Sequence, residues 1–253
     1  SRMVSANHVD QTQIFAYNSG FGSICRFGLP IQGGTLPDIV TIDGPAASGK
    51  STIARTLAQV LGFRYINSGN YYRAITQAII RDGVDFNDAD RLKELLTHVR
   101  LEQEGDCLML DGEDVSEAIR SPEVTNLVSS IAKIPFIREA VNAELRRVAA
   151  RHDSIVEGRD IGTVVFPDAR LKVFLEASIE ERARRRQRDF ADQGVKSEYE
   201  TLLNDLRRRD GIDSTRKTAP LKRADDALVI DSTAMSIDAV VENIRSALQK
   251  SLH

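Results

Sequence analysis

Cysteine, histidine and long apolar runs are scarce in this 253-residue chain. Its two cysteines, Cys25 and Cys107, lie far apart and form no CxxC pair, which is typical of a protein from a reducing compartment. Its four histidines are scattered and lack the spacing of a zinc site. No apolar run approaches the roughly 18 residues of a membrane span, and no positive segment followed by an apolar core opens the chain. We therefore expect no zinc site, membrane anchor or secretory signal.

The charge is nearly balanced, because 34 lysines and arginines face 37 aspartates and glutamates. A slightly acidic chain is not typical of a protein that coats nucleic acid. Hydrophobic residues make up 42% of the chain and charged residues 28%, the composition of an ordinary globular protein. These values favour a cytoplasmic enzyme without a nucleic-acid or membrane partner.

Residues 1–37 differ from the rest of the chain. They mix polar residues and glycine with isolated aromatics, and no helix or strand period persists. We interpret this segment as a flexible N-terminal extension or a translated upstream region, and residues 38–253 as the folded domain.

Beyond this segment, short apolar runs alternate with helical patterns. Strands are predicted over residues 39–42, 63–66, 154–156, 171–175 and 227–230. Helices are predicted after Gly49, after the capping residue Ser236, and over residues 69–81, 89–97, 121–133, 136–150, 178–190 and 197–211. The alternation predicts an α/β fold with a five-stranded, mostly parallel sheet covered by helices on both faces.

Two finer features follow from the same patterns. Val60 in the first helix and Ile237 in the last are expected on core faces. Turn signals at residues 104–106 and 111–112 predict a small antiparallel insert over about 98–116.

Residues 44–51 match the phosphate-loop pattern GxxxxGK[ST] at every fixed position, between a predicted strand and a predicted helix. Glycines let backbone N–H groups turn inward around phosphates, and the helix N-terminus adds positive potential. Lys50 is predicted to reach the β- and γ-phosphates and Ser51 to coordinate Mg²⁺. The alternative is a glycine-rich turn that contains Lys-Ser by chance. The predicted ATP-binding residues are Gly44, Pro45, Ala46, Ala47, Ser48, Gly49, Lys50, Ser51 and Thr52.

The motif leaves the phosphoryl acceptor open: water, a small molecule or another nucleotide. Arg73, one turn into the helix after the second strand, could present two N–H groups to a second phosphate. Arg159 and Asp160 follow the strand that ends at Val156, and therefore lie at the ligand-binding edge of a parallel sheet. The alternatives are a solvated arginine at 73 and an internal Arg159–Asp160 salt bridge that shapes the loop.

Two arginine clusters, over residues 182–188 and 207–209, lie on either side of a helix break at Gln193-Gly194. Charge runs are usually solvated helix faces, and acidic residues dilute these. Two basic helices joined by a hinge would also suit a mobile lid over a triphosphate, predicted over about 178–217. The same helices could bind nucleic acid, but no aromatic residues are interleaved to stack on bases, so we favour the lid.

The charges also distinguish between reactions, because phosphoryl transfer depends mainly on positioning and electrostatic stabilisation. An acceptor that is already a phosphate monoester is anionic at neutral pH and needs cations rather than a general base. The chain offers Lys50, several arginines and no obvious isolated base. This pattern favours a nucleoside monophosphate kinase over an NTPase that activates water.

From about Ile39 to Leu248 the chain resembles the bacterial cytidylate kinases, a family of P-loop nucleoside monophosphate kinases. The motifs that carry the resemblance are Ile42-Asp43-Gly44-Pro45 with the phosphate loop, Ser68-Gly69, Tyr72-Arg73, Asp114-Val115-Ser116, Ile119-Arg120, Pro135, Arg138, residues 157–168, Glu181-Arg182-Ala183, and Arg209-Asp210 through Pro220-Leu221. The resemblance implies a P-loop NTPase-type three-layer fold, with a monophosphate-binding region over about 67–150. It implies that a monomer phosphorylates CMP and dCMP to CDP and dCDP, with ATP and Mg²⁺.

The resemblance also implies roles for single residues. Ser129, Arg138 and Asp160 would read the cytosine ring, because a carboxylate accepts from its amine while a guanidinium donates to its O2 and N3. The residues implied at the acceptor phosphate are Arg73, Arg159 and Arg216, with Ser68 nearby. Those implied at the ribose are Arg209 and Asp213. The expected catalytic residues are Lys50, Arg73, Arg159 and Arg216.

The chain departs from the family at two positions, because the family usually carries an acid at Asn67 and a small residue at Asn70. Asn67 keeps the shape of an acid without its charge, which could weaken a contact to a metal-bound water or an arginine. Asn70 could narrow the groove for the monophosphate. Two other functions stay open: a P-loop switch or nucleic-acid-stimulated ATPase that uses the basic helices, and a catalytically inactive homologue.

Overall fold

The computed structural model describes residues 37–192 and 194–251. The N-terminal extension expected over residues 1–37 lies outside the described residues, apart from Pro37.

The described residues form eight β-strands and eight α-helices. The strands are β1 (Ile39–Asp43), β2 (Arg64–Asn67), β3 (Leu101–Glu104), β4 (Cys107–Leu110), β5 (Glu113–Asp114), β6 (Ser154–Gly158), β7 (Leu171–Glu176) and β8 (Leu228–Asp231). The helices are α1 (Lys50–Leu61), α2 (Ser68–Arg81), α3 (Ala89–His98), α4 (Pro122–Ile131), α5 (Pro135–Ala149), α6 (Ile179–Asp192), α7 (Tyr199–Thr215) and α8 (Ile237–Lys250). A 3₁₀ helix at Ala118–Arg120 precedes α4, and a π-helix at Ile161–Val165 follows β6.

Five of these strands form a parallel sheet in the order β2-β6-β1-β7-β8. The carboxyl ends of parallel strands meet along one edge, which is where open α/β sheets bind ligands. The register pairs Asp43 with Gly158, and Asn67 with Glu157, along that edge. The predicted five-stranded parallel sheet is confirmed.

Apolar side chains pack on both faces of this sheet. One core cluster includes Ile42 of β1, Leu57 of α1 and Ile244 of α8. The other includes Ile66 of β2 and residues of α2 and α5 such as Val141. Helices therefore cover both faces, as the apolar strands require, and the three-layer α/β architecture is confirmed.

The antiparallel insert is also confirmed, as a second sheet in the order β3-β4-β5. Its two turns contain Gly105 and Gly112, with φ of 58° and 87°. Leu108 and Leu110 of β4 belong to the same core cluster as α2, so the insert packs on the α2 side of the main sheet.

Two residues expected on core faces are exposed instead. Val60 is 57% exposed, because the buried face of α1 runs through Ala54, Leu57 and Ala58. Ile237 is 47% exposed and is the first residue of α8. These two predictions were wrong because apolar periodicity identifies a helix but not the limits of its buried face.

The element bounds differ from the prediction by one or two residues, except that α7 continues to Thr215. The break predicted at residues 193–194 lies between the end of α6 and the start of α7. The predicted cap of α8 is confirmed, because Ser236 Oγ accepts from the backbone N–H of Ala239 at 3.2 Å. None of the described helices combines the length and the apolar character needed to cross a membrane.

Candidate active site

A cavity of about 1140 Å³ opens at the carboxyl edge of the parallel sheet. Its wall contains the phosphate loop, the first turns of α1 and α2, the loop after β6, and parts of α6 and α7. Every residue predicted for the site lines this cavity except Gly44 and Pro45, which begin the phosphate loop. The structure therefore brings the predicted site residues together in one place.

The phosphate loop joins β1 to α1 and encloses the side chain of Lys50. Lys50 is 6% exposed, and its Nζ donates to the Pro45 carbonyl at 2.6 Å and to Ser48 Oγ at 3.4 Å. Burial lowers the pKa of the Lys50 ammonium, and the charge of Arg159 lowers it further, while nearby carboxylates oppose this shift. A phosphate in the loop would favour the charged form of Lys50.

The loop requires glycine at two positions. Gly44 has a φ of 151°, and a Cβ there would lie 2.1 Å from the carbonyl oxygen of Leu175. Gly49, which precedes α1, has a φ of 94°, and side chains other than glycine rarely adopt such values. No side chain of the described residues caps α1, so its first N–H groups are available to phosphate oxygens.

Asp43 ends β1 and fixes the segment that carries Arg159 and Asp160. Its two carboxylate oxygens accept from the backbone N–H groups of Ile161 and Gly162 at 2.9 and 2.7 Å, at the start of the π-helix. Burial raises the pKa of this carboxyl to about 6, against the effect of both hydrogen bonds. Single π-helical turns are rare in proteins as a whole, but those that occur are often found at functional sites. This turn holds Arg159 and Asp160 at the cavity wall.

Asp160 forms ion pairs with two arginines. Its Oδ2 accepts from Arg138 Nη2 at 2.5 Å and its Oδ1 from Arg216 Nη2 at 3.0 Å. The side chains of Arg138, Asp160 and Arg216 are 3%, 6% and 6% exposed, respectively. Arg216, which the resemblance placed at the acceptor phosphate, faces Asp160 in this structure.

Arg159 pairs with Asp213 rather than with Asp160, the partner considered in the sequence analysis. Its Nε donates to Asp213 Oδ2 at 2.8 Å, which links the loop after β6 to α7. The internal Arg159–Asp160 salt bridge considered as an alternative is therefore absent from the described contacts.

Three arginines that line the cavity, Arg73, Arg159 and Arg209, are here called the cavity arginines. Arg73 Nη1 donates to the Ile119 carbonyl at 2.9 Å and to Thr125 Oγ1 at 3.0 Å. Burial lowers the pKa of Arg73 to about 10, and the neighbouring charges that add to this effect are those of Arg209, Arg186 and Arg120. Burial and the charge of Arg159 lower the pKa of Arg209 in the same way. Crowded cations of this kind are stabilised by an anion such as phosphate.

The two serines predicted to bind the monophosphate substrate, Ser68 and Ser129, lie on two different helices, α2 and α4. Ser68 opens α2 and is 4% exposed. A Cβ on Gly158 would lie 2.5 Å from Ser68 Oγ, so glycine at 158 allows β6 to approach α2 this closely. Ser129, on α4, lines the same cavity.

The sequence analysis assigned no role to Tyr72, Glu157 or Arg186, which also line the cavity. The Arg138 guanidinium lies 5.4 Å from the centre of the Tyr72 ring. The Tyr72 hydroxyl is buried and has no hydrogen-bond partner among the described residues. Tyr72 precedes Arg73, and Glu157 lies two residues before Arg159. Their position next to predicted site residues is the sequence signal that could have identified them.

Two other arginines, Arg182 and Arg185 of α6, donate to carbonyl groups of the phosphate loop and are here called the clamp arginines; Arg185 also lines the cavity. Arg182 Nη1 donates to the Ala46 carbonyl at 3.0 Å and to Asp210 Oδ2 at 2.7 Å. Asp210 Oδ1 accepts from the Ala46 N–H at 3.4 Å, so the backbone of Ala46 is held on its carbonyl side by α6 and on its N–H side by α7. Arg185 donates to the carbonyls of Ser48 and Ser232 at 3.2 and 2.6 Å.

Ser51 is the residue that the sequence assigns to Mg²⁺. It lies in the first turn of α1, with an exposed side chain in the cavity wall. The described residues contain no cluster of three or more histidine, cysteine or acidic side chains able to hold a metal ion. Mg²⁺ keeps several waters and is usually held by one or two protein groups together with substrate phosphates. A single hydroxyl beside a phosphate loop fits that chemistry.

Comparison with known proteins gives a consistent assignment. The family model described as Cytidylate kinase matches residues 40–250. A cytidylate kinase from Caldanaerobacter subterraneus is 44% identical over 211 residues, which cover 83% of this chain and 94% of the relative. A cytidylate kinase from Shouchella clausii is 48% identical over 209 residues, which cover 81% of this chain and 93% of the relative. The chain therefore belongs to the cytidylate kinase family.

Proposed function

We propose that this protein transfers the γ-phosphoryl group of ATP directly and in line to CMP or dCMP, giving CDP or dCDP. The observation that carries the proposal is a single cavity with a phosphate loop at one end and a crowded group of arginines facing it. Membership of the cytidylate kinase family supports the same substrates.

The geometry suits a reaction without a general base. The acceptor phosphate oxygen is anionic at neutral pH, so the protein has to bring two negative groups together and stabilise the charge of the transferring phosphoryl group. Lys50 and the α1 N-terminus would hold the β- and γ-phosphates. The cavity arginines would hold the acceptor phosphate and the charge that develops on the transferring group.

Base selection would fall to the Arg138–Asp160 pair and Ser129. Each carboxylate oxygen has two lone pairs, so Asp160 can accept from the cytosine amine while it keeps its arginine partners. Uracil presents a carbonyl at that position, which would face the carboxylate without a proton to donate. Arg216, on the other oxygen of Asp160, would position this carboxylate in addition to any contact with phosphate.

Mg²⁺ belongs to the same proposal, with Ser51 as its protein ligand. When bound, it would neutralise negative charge on the phosphates of ATP. We further propose that the enzyme acts as a cytoplasmic monomer without nucleic-acid or membrane partners, which light scattering and the absence of any RNA- or DNA-stimulated ATP hydrolysis would support.

A substrate panel tests the function. ADP release is measured on the full chain with ATP, Mg²⁺ and one of CMP, dCMP, UMP or AMP. We expect kcat/KM for CMP or dCMP to exceed that for UMP and AMP by at least about a hundredfold, and activity to disappear with EDTA. Equal turnover of UMP or AMP would reject the cytosine assignment, and ATP hydrolysis without an acceptor would favour an NTPase.

A further inference from the structure

The ends of β2 and β6 carry an amide and a carboxylate in direct contact. Asn67 and Glu157 are register partners in the sheet, and Asn67 Nδ2 donates to Glu157 Oε1 at 2.7 Å. The Tyr65 hydroxyl donates to the same oxygen, and it also accepts from Asn67 Nδ2 at 3.1 Å. Glu157 is 3% exposed, so two donors on one oxygen compensate much of its lost hydration.

The orientation of the Asn67 amide is fixed from its other side. Asn67 precedes α2, and its Oδ1 accepts from the backbone N–H of Asn70 at 3.3 Å as a helix cap. Because the amide oxygen is committed to α2, its nitrogen points towards Glu157. An acid at position 67 could keep the cap but would have no proton to donate to Glu157.

Glu157 lines the same cavity as the phosphate loop. Its charge raises the pKa of Lys50 against the dominant effect of burial, so it acts as a counter-charge to that ammonium. The Tyr65 hydroxyl donates to Glu157, and burial and the charge of Glu157 raise its pKa. Asn67, Tyr65 and Glu157 therefore form one hydrogen-bonded group, and Asn67 and Glu157 line the same cavity as Lys50 and Ser51.

We propose that Asn67 is a positioning residue that holds Glu157 against the Lys50–Ser51 end of the phosphate loop. In this chain, which differs from the usual family pattern at position 67, the carboxylate at this edge is that of Glu157 on β6, and Asn67 supplies an N–H donor to it. An acid at 67 would place two carboxylates in contact, and their repulsion would displace Glu157 from the loop. The inference concerns phosphoryl transfer and so rests on the proposed function.

A double-mutant cycle tests the proposal with the variants N67D, E157Q and N67D/E157Q. We expect N67D to lower kcat/KM for ATP about tenfold, while KM for CMP stays within about twofold. The double variant puts the carboxylate on 67 and the amide on 157, which restores a donor–acceptor pair. We expect it to recover at least about threefold over N67D, a coupling of the size found between contacting side chains. Additive losses would overturn the proposal, as would an N67D variant as active as the parent.

N70D is the matched control, because it adds the same charge three residues along the chain. Asn70 also lines the cavity, and it contacts Asn67 through its backbone N–H rather than its side chain. We expect N70D to lose several-fold less activity than N67D. An equal loss would mean that added negative charge near the phosphates lowers the activity. The proposal that the Asn67–Glu157 hydrogen bond is responsible would then be overturned.

Equilibrium binding of a fluorescent ATP analogue separates this proposal from the proposed function. We expect N67D to weaken analogue binding about fivefold and the double variant to restore it. If the parent protein does not phosphorylate CMP but the binding cycle shows this coupling, the proposed function fails and the role of Asn67 stands. If the parent is active and neither readout shows coupling, the role of Asn67 fails. Thermal unfolding of each variant checks that the compared proteins are folded.

Discussion

The clamp arginines and the cavity arginines carry the same charge but have different surroundings. The guanidinium groups of Arg182 and Arg185 contact carbonyl and carboxylate oxygens of the protein, including the Ala46 and Ser48 carbonyls of the phosphate loop. Among the cavity arginines, Arg73 and Arg209 have a pKa lowered by burial and by the charges of other arginines. The first set binds the phosphate loop through its carbonyl groups, and in the proposed function the second set receives an anion.

The predicted lid also contains a part that is bound to the phosphate loop and a part that is exposed. The start of α6 is fixed through Arg182 and Asp210 and through a small apolar cluster that includes Ala46, Ala183 and Leu206. Arg188, further along α6, has a 67% exposed side chain. The structure thus anchors both lid helices at the phosphate loop, and any closing motion would be largest beyond that anchor.

Replacement of a cavity arginine is expected to have the largest effect on activity. Arg159→Met removes a guanidinium that faces the acceptor phosphate in the proposed mechanism, and kcat should fall by about 10²–10³-fold. Asp213 would keep Arg216 Nη1 at 3.9 Å after the loss of Arg159, so the free energy of unfolding should change by about 1–2 kcal/mol, less than for a buried pair that loses its one partner. Steady-state kinetics and urea unfolding measure the two effects. A rate near that of the parent protein would remove Arg159 from the mechanism.

Replacement of a clamp arginine should instead reduce stability most. Arg182→Met leaves Asp210 and the Ala46 carbonyl without their strongest donor, and Arg182 itself is 7% exposed at the side chain. Loss of one partner of a buried ion pair destabilises proteins by about 3–5 kcal/mol, and the 21% exposure of Asp210 places this variant near the lower value. Urea unfolding measures the change. Full stability combined with a hundredfold loss of kcat would place Arg182 with the cavity arginines.

Two carboxylates extend the same comparison, because Asp210 faces an arginine whereas Asp43 accepts only backbone N–H groups in its described hydrogen bonds. Burial raises the pKa of Asp43 from 3.8 to about 6, so the folded state binds its proton more tightly than the unfolded state. Below about pH 3.8 Asp43 is protonated in both the folded and the unfolded state, so its burial does not lower the free energy of unfolding through an ionised carboxylate. As pH rises through about 6 its ionised form becomes destabilising, by about 3 kcal/mol at most.

The variant D43N removes the titrating group, so comparing it with the parent protein isolates this effect. We expect the free energy of unfolding of the parent, minus that of D43N, to fall by up to about 3 kcal/mol between about pH 4 and pH 7. Chemical unfolding at several pH values where both proteins are folded measures the difference. A difference that is constant with pH would mean that Asp43 titrates at its ordinary value.

The fold and the phosphate loop were predictable because their signals are local. Apolar periodicity and a motif of eight residues between a strand and a helix specify them without knowledge of distant contacts. The division of the arginines was not predictable, since Arg182 meets Ala46 only in the folded chain, 136 positions away. The same holds for Asn67, whose partner Glu157 lies 90 positions away, and for the π-helix, whose first N–H groups donate to the distant Asp43 carboxylate.

The smallest effect is expected at an arginine of the same run that belongs to neither set. Arg184 is 62% exposed at the side chain and lies 3.8 Å from its partner Glu181 on the same helix. Such exposed pairs contribute about 0–1 kcal/mol, so Arg184→Met should change the free energy of unfolding by about 0.5 kcal/mol or less and kcat by less than about twofold. Measured beside Arg159→Met and Arg182→Met, this variant removes one guanidinium from the same basic region without touching the loop or the cavity. A loss of kcat like that of Arg159→Met would show that the total charge of the lid, rather than the position of each guanidinium, controls the reaction, and the distinction between the two sets would fail.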